Sequence, residues 1–253
     1  MTSQQQDLFE YATRLGDSAL ILGQRLSEWC GHSPELELDM AITNLSLDLI
    51  GQARLLLALA GEIEGAGRDE DQLAFLRDAL DFRCLLLVEQ PNGDWAQTIA
   101  RQFFFSAFQQ LQFQALSQSA DARLAAIATK ALPEIAYHVR FAADWVVRLG
   151  DGTEESHRRM AAAIDNLWRF TDEMFLPDAV EERLTAAGIA PDATALKAGW
   201  LAAVTATLGE AGIAVPAPHR PVVGSRVGHH SEHLGHILSE MQFMQRAYPN
   251  AEW

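Results

Sequence analysis

Apolar residues recur three and four apart over residues 8–29, at Leu8, Tyr11, Ala12, Leu15, Ala19, Leu22, Leu26 and Trp29. That is the spacing of one helix face. Ser33-Pro34 opens a second such run over about 35–64, carrying Ile42, Leu45, Leu49, Leu56 and Leu59, and Gly65-Ala66-Gly67 closes it. A third helix is expected over about 69–89, before the hard break at Gln90-Pro91-Asn92-Gly93. Asp94 is placed to cap a fourth, about 95–119. A fifth is expected over about 121–149 and a sixth over about 154–175. Pro133, near the first turns of the fifth, predicts a later start or a bend there. Beyond Pro177 the pattern predicts shorter helices at 178–187 and 191–211, a proline-rich loop at 215–221, and a final helix over about 231–248. Period-two stretches are short and unpaired, so no strand is expected. Long helices with short connections predict an all-α antiparallel bundle. The expected organisation is one domain, with a core over about 8–176 and additional helices over about 177–253.

Two features of the apolar pattern go beyond a single face. Trp29, Trp95, Trp145, Trp168 and Trp200 all fall on apolar helical positions, which predicts core packing. Phe103, Phe104, Phe105, Phe108 and Phe113 cover more than one face of the fourth helix. A helix apolar nearly all round is buried on several sides, so the run raises the expectation of a second subunit.

Composition narrows the function classes. A formal charge of −15 disfavours nucleic acid and anionic membranes as partners. Two cysteines, Cys30 and Cys84, exclude a disulfide framework and a cysteine-rich zinc module. The start, MTSQQQDLFE, lacks the basic flank and apolar stretch of a signal peptide. The apolar run at 55–60 stops at Gly61, Glu62 and Glu64, short of a membrane span. A cytoplasmic location is expected.

Large helical bundles that do chemistry often hold two metals, using a Glu from each of two helices and Glu-x-x-His from each of two others. Glu154-Glu-Ser-His157 has that spacing, at the very start of the expected sixth helix, but no Glu-x-x-His occurs within the long second and fifth helices. Two degenerate versions do. Asp48-Leu-Ile-Gly51 has an acid in place of Glu and glycine in place of His, and Glu134-Ile-Ala-Tyr137 has tyrosine at the ligand spacing with His138 one place later. Residues four apart still share a face, so Glu134 and His138 can both reach one point. The first helix offers Asp17 or Glu28, and the fourth only Phe105, Ser106 and Gln109. A dinuclear site needs several anionic donors, so Asp48, Glu134 and His138 read as polar core residues rather than ligands. Buried carboxylates then require a cation. Lys130, Arg14, Arg25, Arg54, Arg101 and Arg140 are the candidates for a side chain standing where the metal would be. His32 and His157 are isolated near helix ends and read as solvated. No catalytic residue is assigned, nor any cofactor-binding or metal residue in this chain.

The most metal-like stretch is VGHHSEHLGH, where His229, His230, Glu232, His233 and His236 lie together and Glu240 continues the side of His233 and His236. The competing reading is a helix start whose polar residues cap, buttress or contact a partner. His230, Glu232 and His233 are its central members.

Six segments carry a likeness to a known family: Arg14-Leu-Gly-Asp17, Gln24-Arg-Leu-Ser-Glu-Trp-Cys-Gly-His32, Asp48-Leu-Ile-Gly-Gln-Ala-Arg54, Leu87-Val-Glu-Gln-Pro-Asn-Gly93, Leu167-Trp-Arg-Phe170 and His230-Ser-Glu-His-Leu-Gly235. In these the chain resembles the C subunits of bacterial ring 1,2-phenylacetyl-CoA epoxidases, multicomponent monooxygenases of aerobic phenylacetate catabolism. The resemblance implies a ferritin-like bundle without a functional metal centre. It also implies a hetero-oligomer. The di-iron site that inserts oxygen into the ring of phenylacetyl-CoA would lie in a partner, the A subunit. A small B subunit and a reductase E complete the system, E drawing electrons from NADPH through a flavin and an iron–sulfur cluster. This chain would support A structurally, with His230, Glu232 and His233 as a family signature. The alternative is a ferritin-like metal-binding enzyme or storage bundle with its own iron site.

Overall fold

A computed structural model of the chain describes residues 1–249 and 251, and every regular element among them is helical. The chain forms two compact units, Met1–Gln90 with Gly224–Trp253, and Pro91–Val223.

The first unit is built on α1 (Ser3–Ser27) and α2 (Leu36–Glu64). They run antiparallel: Gly16 of α1 faces Leu56 and Leu57, while Gly23 faces Ser46, Leu49 and Ile50. These glycines, one heptad apart, bring the helices close; a methyl group at Gly16 would lie 2.8 Å from the Leu57 side chain. Ser46 also donates to the Gly23 carbonyl at 2.8 Å. Among the described residues, α2 is the one helix long and apolar enough to cross a membrane, and half of its most apolar window is buried inside the protein. Gly65 ends α2 with φ 67°, a left-handed cap that a side chain would resist.

The expected helix over 69–89 is instead broken into α3 (Glu70–Phe75), a 3-10 turn (Ala79–Asp81) and α4 (Leu86–Glu89). Along this irregular path Phe82, Cys84 and every residue from Leu85 to Gln90 are buried. The chain returns at Gly224 as a 3-10 turn (Ser225–Val227), then α10 (Glu232–Met241) and α11 (Phe243–Ala247). The single helix expected over 231–248 is interrupted at Gln242. This buried side chain donates to the carbonyls of Ala74 and Arg77, both at 3.0 Å.

The second unit holds α5 (Trp95–Leu116), α6 (Ala122–Gly150), α7 (Glu154–Trp168), α8 (Ala179–Ala186) and α9 (Ala193–Glu210). Asp94 caps α5 by accepting from the Gln97 amide at 3.0 Å. α6 passes through Pro133 without interruption. Pro133 and Thr129, whose carbonyl loses its usual donor, lie on the outer side of the helix at least in part, with Thr129 exposed, so water can satisfy that carbonyl. The helix expected to reach 175 stops at Trp168. The Thr171 hydroxyl donates to the Trp168 carbonyl and the Val222 amide to that of Arg169, and a 3-10 turn (Asp172–Phe175) follows.

The phenylalanines of α5 are buried within this one chain, from 0% exposure for Phe104 to 4% for Phe105. Their spread around the helix therefore gives no reason to invoke a second subunit. Trp200 of α9 packs 5.7 Å from Phe104, 5.5 Å from Trp168 and 5.3 Å from Phe175, ring centre to ring centre. Its indole N–H donates to the Phe104 carbonyl at 3.0 Å. Trp200→Ala leaves a cavity and removes the indole donor from the Phe104 carbonyl, and is expected to cost about 3–5 kcal/mol in denaturant unfolding. Trp200→Phe should cost less than half as much.

Candidate functional site

The degenerate ligand positions do not form a donor cluster. On α2, Asp48 is half-buried and Gly51 is exposed, with open space where a side chain would start. On α6, His138 is buried and Glu134 half-buried, but Tyr137 is 37% exposed, lying beside Phe141 with the Arg140 guanidinium 5.5 Å from its ring centre. The spacing thus selects, apart from His138, residues at the borders of outward faces. On α5 none of the buried polar groups near the middle is anionic: Arg101, Gln102, Ser106 and Gln109. Both side-chain polar atoms of Gln102 are buried without a hydrogen-bond partner. Among the described residues, no group of three or more His, Cys, Asp and Glu comes together in a metal-holding arrangement. These residues do not fit a di-iron centre.

Arginine does neutralise a buried carboxylate, but at Asp17 of α1, and the arginine is Arg77. Asp17 is 0% exposed and the Arg77 side chain 6%. The guanidinium reaches both oxygens of Asp17, through Nη1 at 3.0 Å and through Nη2. The Arg83 amide adds a third donor at 2.8 Å. Arg77 also donates to the carbonyls of Leu73 and Asp81 and lies 4.3 Å from the Phe82 ring centre. Nearly all its donors are therefore used, which a buried guanidinium requires.

The cations expected for that role are engaged elsewhere. Arg14 pairs with Glu10 at 3.0 Å and Arg54 with Glu70 at 3.1 Å. Arg25 binds Glu28 and the Glu89 main-chain carbonyl, and Arg101 binds Asn92. Lys130 is exposed. Arg77 was hidden because its stretch reads as the polar side of a continuous helix. The one legible signal was Asp17, a carboxylate amid the apolar positions Leu15, Ala19, Leu20 and Ile21 of α1.

The histidine-rich stretch divides. His229 and Glu232 are exposed, as is His236, and His233 is half-buried. His230 alone points inward, with 5% of its side chain exposed. Its Nε2 lies 2.8 Å from the Phe82 carbonyl, and its Nδ1 lies 3.4 Å from Oε1 of the fully buried Glu89 and 4.0 Å from the Cys84 sulfur. Burial pushes the His230 pKa down. The Glu89 contact, the Phe82 carbonyl and the charges of Glu89 and Asp17 outweigh that, and the net shift is upward. Gly228, at φ 76°, makes this entry possible, because a methyl group there would sit 2.3 Å from the Leu80 carbonyl. Ser231, at the N-cap of α10, makes no side-chain cap bond. The stretch buttresses the 80–89 segment rather than assembling a ligand set. His157, read as solvated, instead contacts the Gly150 carbonyl at 2.7 Å at the end of α6.

The class defined here is an all-helical, ferritin-like protein in which an arginine neutralises a buried acid. The chain matches the phenylacetic acid catabolic protein family over residues 1–253, and it belongs to that family. A curated relative is the C subunit of the 1,2-phenylacetyl-CoA epoxidase of Escherichia coli (strain K12). It is 50% identical over 246 residues, covering 97% of this chain and 99% of that protein.

Removing one side of the buried pair strands the other charge. Arg77→Met is expected to destabilise the protein by about 3–5 kcal/mol in equilibrium unfolding. Asp17→Asn with Arg77→Met should cost less than the sum of the two single changes, because neither charge is then left alone.

Proposed function

We propose that this chain is the structural, non-catalytic C-type subunit of a phenylacetyl-CoA 1,2-epoxidase in aerobic phenylacetate catabolism. Identity of 50% along almost the full length of both chains carries this reading. The poor fit of Asp48, Gly51, Glu134, Tyr137 and His138 to a di-iron centre supports the non-catalytic half of the proposal.

On this reading the partner A subunit holds the di-iron centre and binds phenylacetyl-CoA. The B subunit and the reductase E, with NADPH, flavin and an iron–sulfur cluster, complete the system. The contribution of this chain is a rigid helical surface that keeps the A subunit in its active shape. Oxygen activation, an anionic donor set and electron delivery all lie outside it.

The test is reconstitution. Epoxidation of phenylacetyl-CoA by A, B and E should fall at least tenfold when this chain is omitted, and size exclusion should show it co-eluting with A. Undiminished turnover without it would overturn the proposal. The chain purified alone should bind well under one iron per molecule. Stoichiometric iron would replace the proposal with a ferritin-like enzyme or storage bundle that has its own site.

A further inference from the structure

Glu89 and His230 stand where the chain leaves the first unit and where it comes back: Glu89 just before the Gln90–Pro91 boundary, and His230 shortly after re-entry at Gly224. Their contact fixes a proton count. The Phe82 carbonyl only accepts, so His230 Nε2, 2.8 Å away, carries a hydrogen. Nδ1 then faces Glu89 Oε1 at 3.4 Å. In a neutral imidazole that nitrogen offers a lone pair, which would confront a buried carboxylate. The contact is attractive only with a second proton between the two groups. Glu89 Oε2 is buried with no hydrogen-bond partner, so the carboxylate gains no compensating donor on its other side.

The surroundings support a cationic ring without replacing that proton. From α1, Asp17 faces the site and Arg25 binds the Glu89 main-chain carbonyl. From the 77–89 segment come Arg77 over Phe82, the Cys84 sulfur, and Arg83, which shares the Phe82 carbonyl at 2.8 Å. Arg77 is offset by Asp17, and Arg83 by Glu10 at 3.3 Å. On the segment of His230 itself, His229 and Glu232 are exposed and His233 is half-buried.

We propose that His230 and Glu89 form a proton-held latch that fastens the returning segment, from Gly224 through α11, to the first unit. With the second proton in place the segment is held, and when the proton leaves it loosens. The upward pKa shift of His230 sets the direction and window. The stabilisation is complete below the ordinary histidine value of about 6.5 and is lost as pH rises through the raised value.

Hydrogen–deuterium exchange on the full chain between pH 6 and 9, corrected for intrinsic exchange rates, tests this. Protection of peptides covering 224–247 should fall by up to about tenfold per pH unit above about 6.5, then level off. Peptides from α5 should stay unchanged, which separates release from global unfolding. In Glu89→Gln the amide N–H can donate to a neutral Nδ1, so protection should persist and become flat with pH. His230→Ala should lower protection at every pH, and Cys84→Ala should keep the wild-type profile. A flat wild-type profile overturns the latch, as does a Glu89→Gln profile that still falls with pH. Loss of the pH dependence in Cys84→Ala would place the proton on the thiol and also overturn it. A ring titration of His230 by NMR with a midpoint below about 6.5 would do the same without any substitution.

Discussion

Burying the Asp17 carboxylate is the constraint from which much of the first unit follows. An isolated ion in a protein interior costs several kcal/mol, so Asp17 needs a cation and donors within reach. Arg77 supplies them only if the chain after α3 stops being helical and carries its guanidinium inward. That break leaves the carbonyls of Ala74, Phe75 and Arg77 without helical partners, and Gln242 and Arg246 provide them. The end of the chain is thus held in the first unit by the same event that neutralises one acid on α1. The interruption between α10 and α11 belongs to that event too, since Gln242 sits at it.

The same constraint bears on function. Ferritin-like metal proteins neutralise their inward carboxylates with metal ions. Here the fully buried acid of α1 is matched by arginine, and Gln102, Ser106 and Gln109 on α5 are amides and a hydroxyl with no charge to offer. A chain of this kind keeps the shape of long packed helices while lacking the anionic density that two cations demand. The chain belongs to the phenylacetic acid catabolic protein family.

The stretch VGHHSEHLGH shows how little residue type decides without burial. Five potential donors lie within it, yet four face outward or halfway and one turns in against a carbonyl and a carboxylate. The glycine before them matters as much as the histidines, because the backbone at Gly228 runs against the Leu80 carbonyl where no side chain fits. A pattern search weighs the imidazoles and passes over the glycine.

Helix type, the long α1, α2, α5 and α6 and the caps at Asp94 and Gly65 were legible from residue spacing. Each is decided within a few turns of chain, by apolar periodicity and by which residue ends a helix. The tertiary structure alone decided which arginine met Asp17, why 69–89 and 231–248 are broken, that Gly51 and Tyr137 face outward, and that the α5 phenylalanines are covered within one chain. The physical reason is common to all four. Each outcome depends on which groups lose water, and that is set by neighbours distant in sequence: Asp17 with Arg77, Glu89 with His230, Ala74 with Gln242. Local periodicity records which side of a helix prefers to be dry, and only the assembled fold determines which polar groups are dried with it and what must then be brought to meet them.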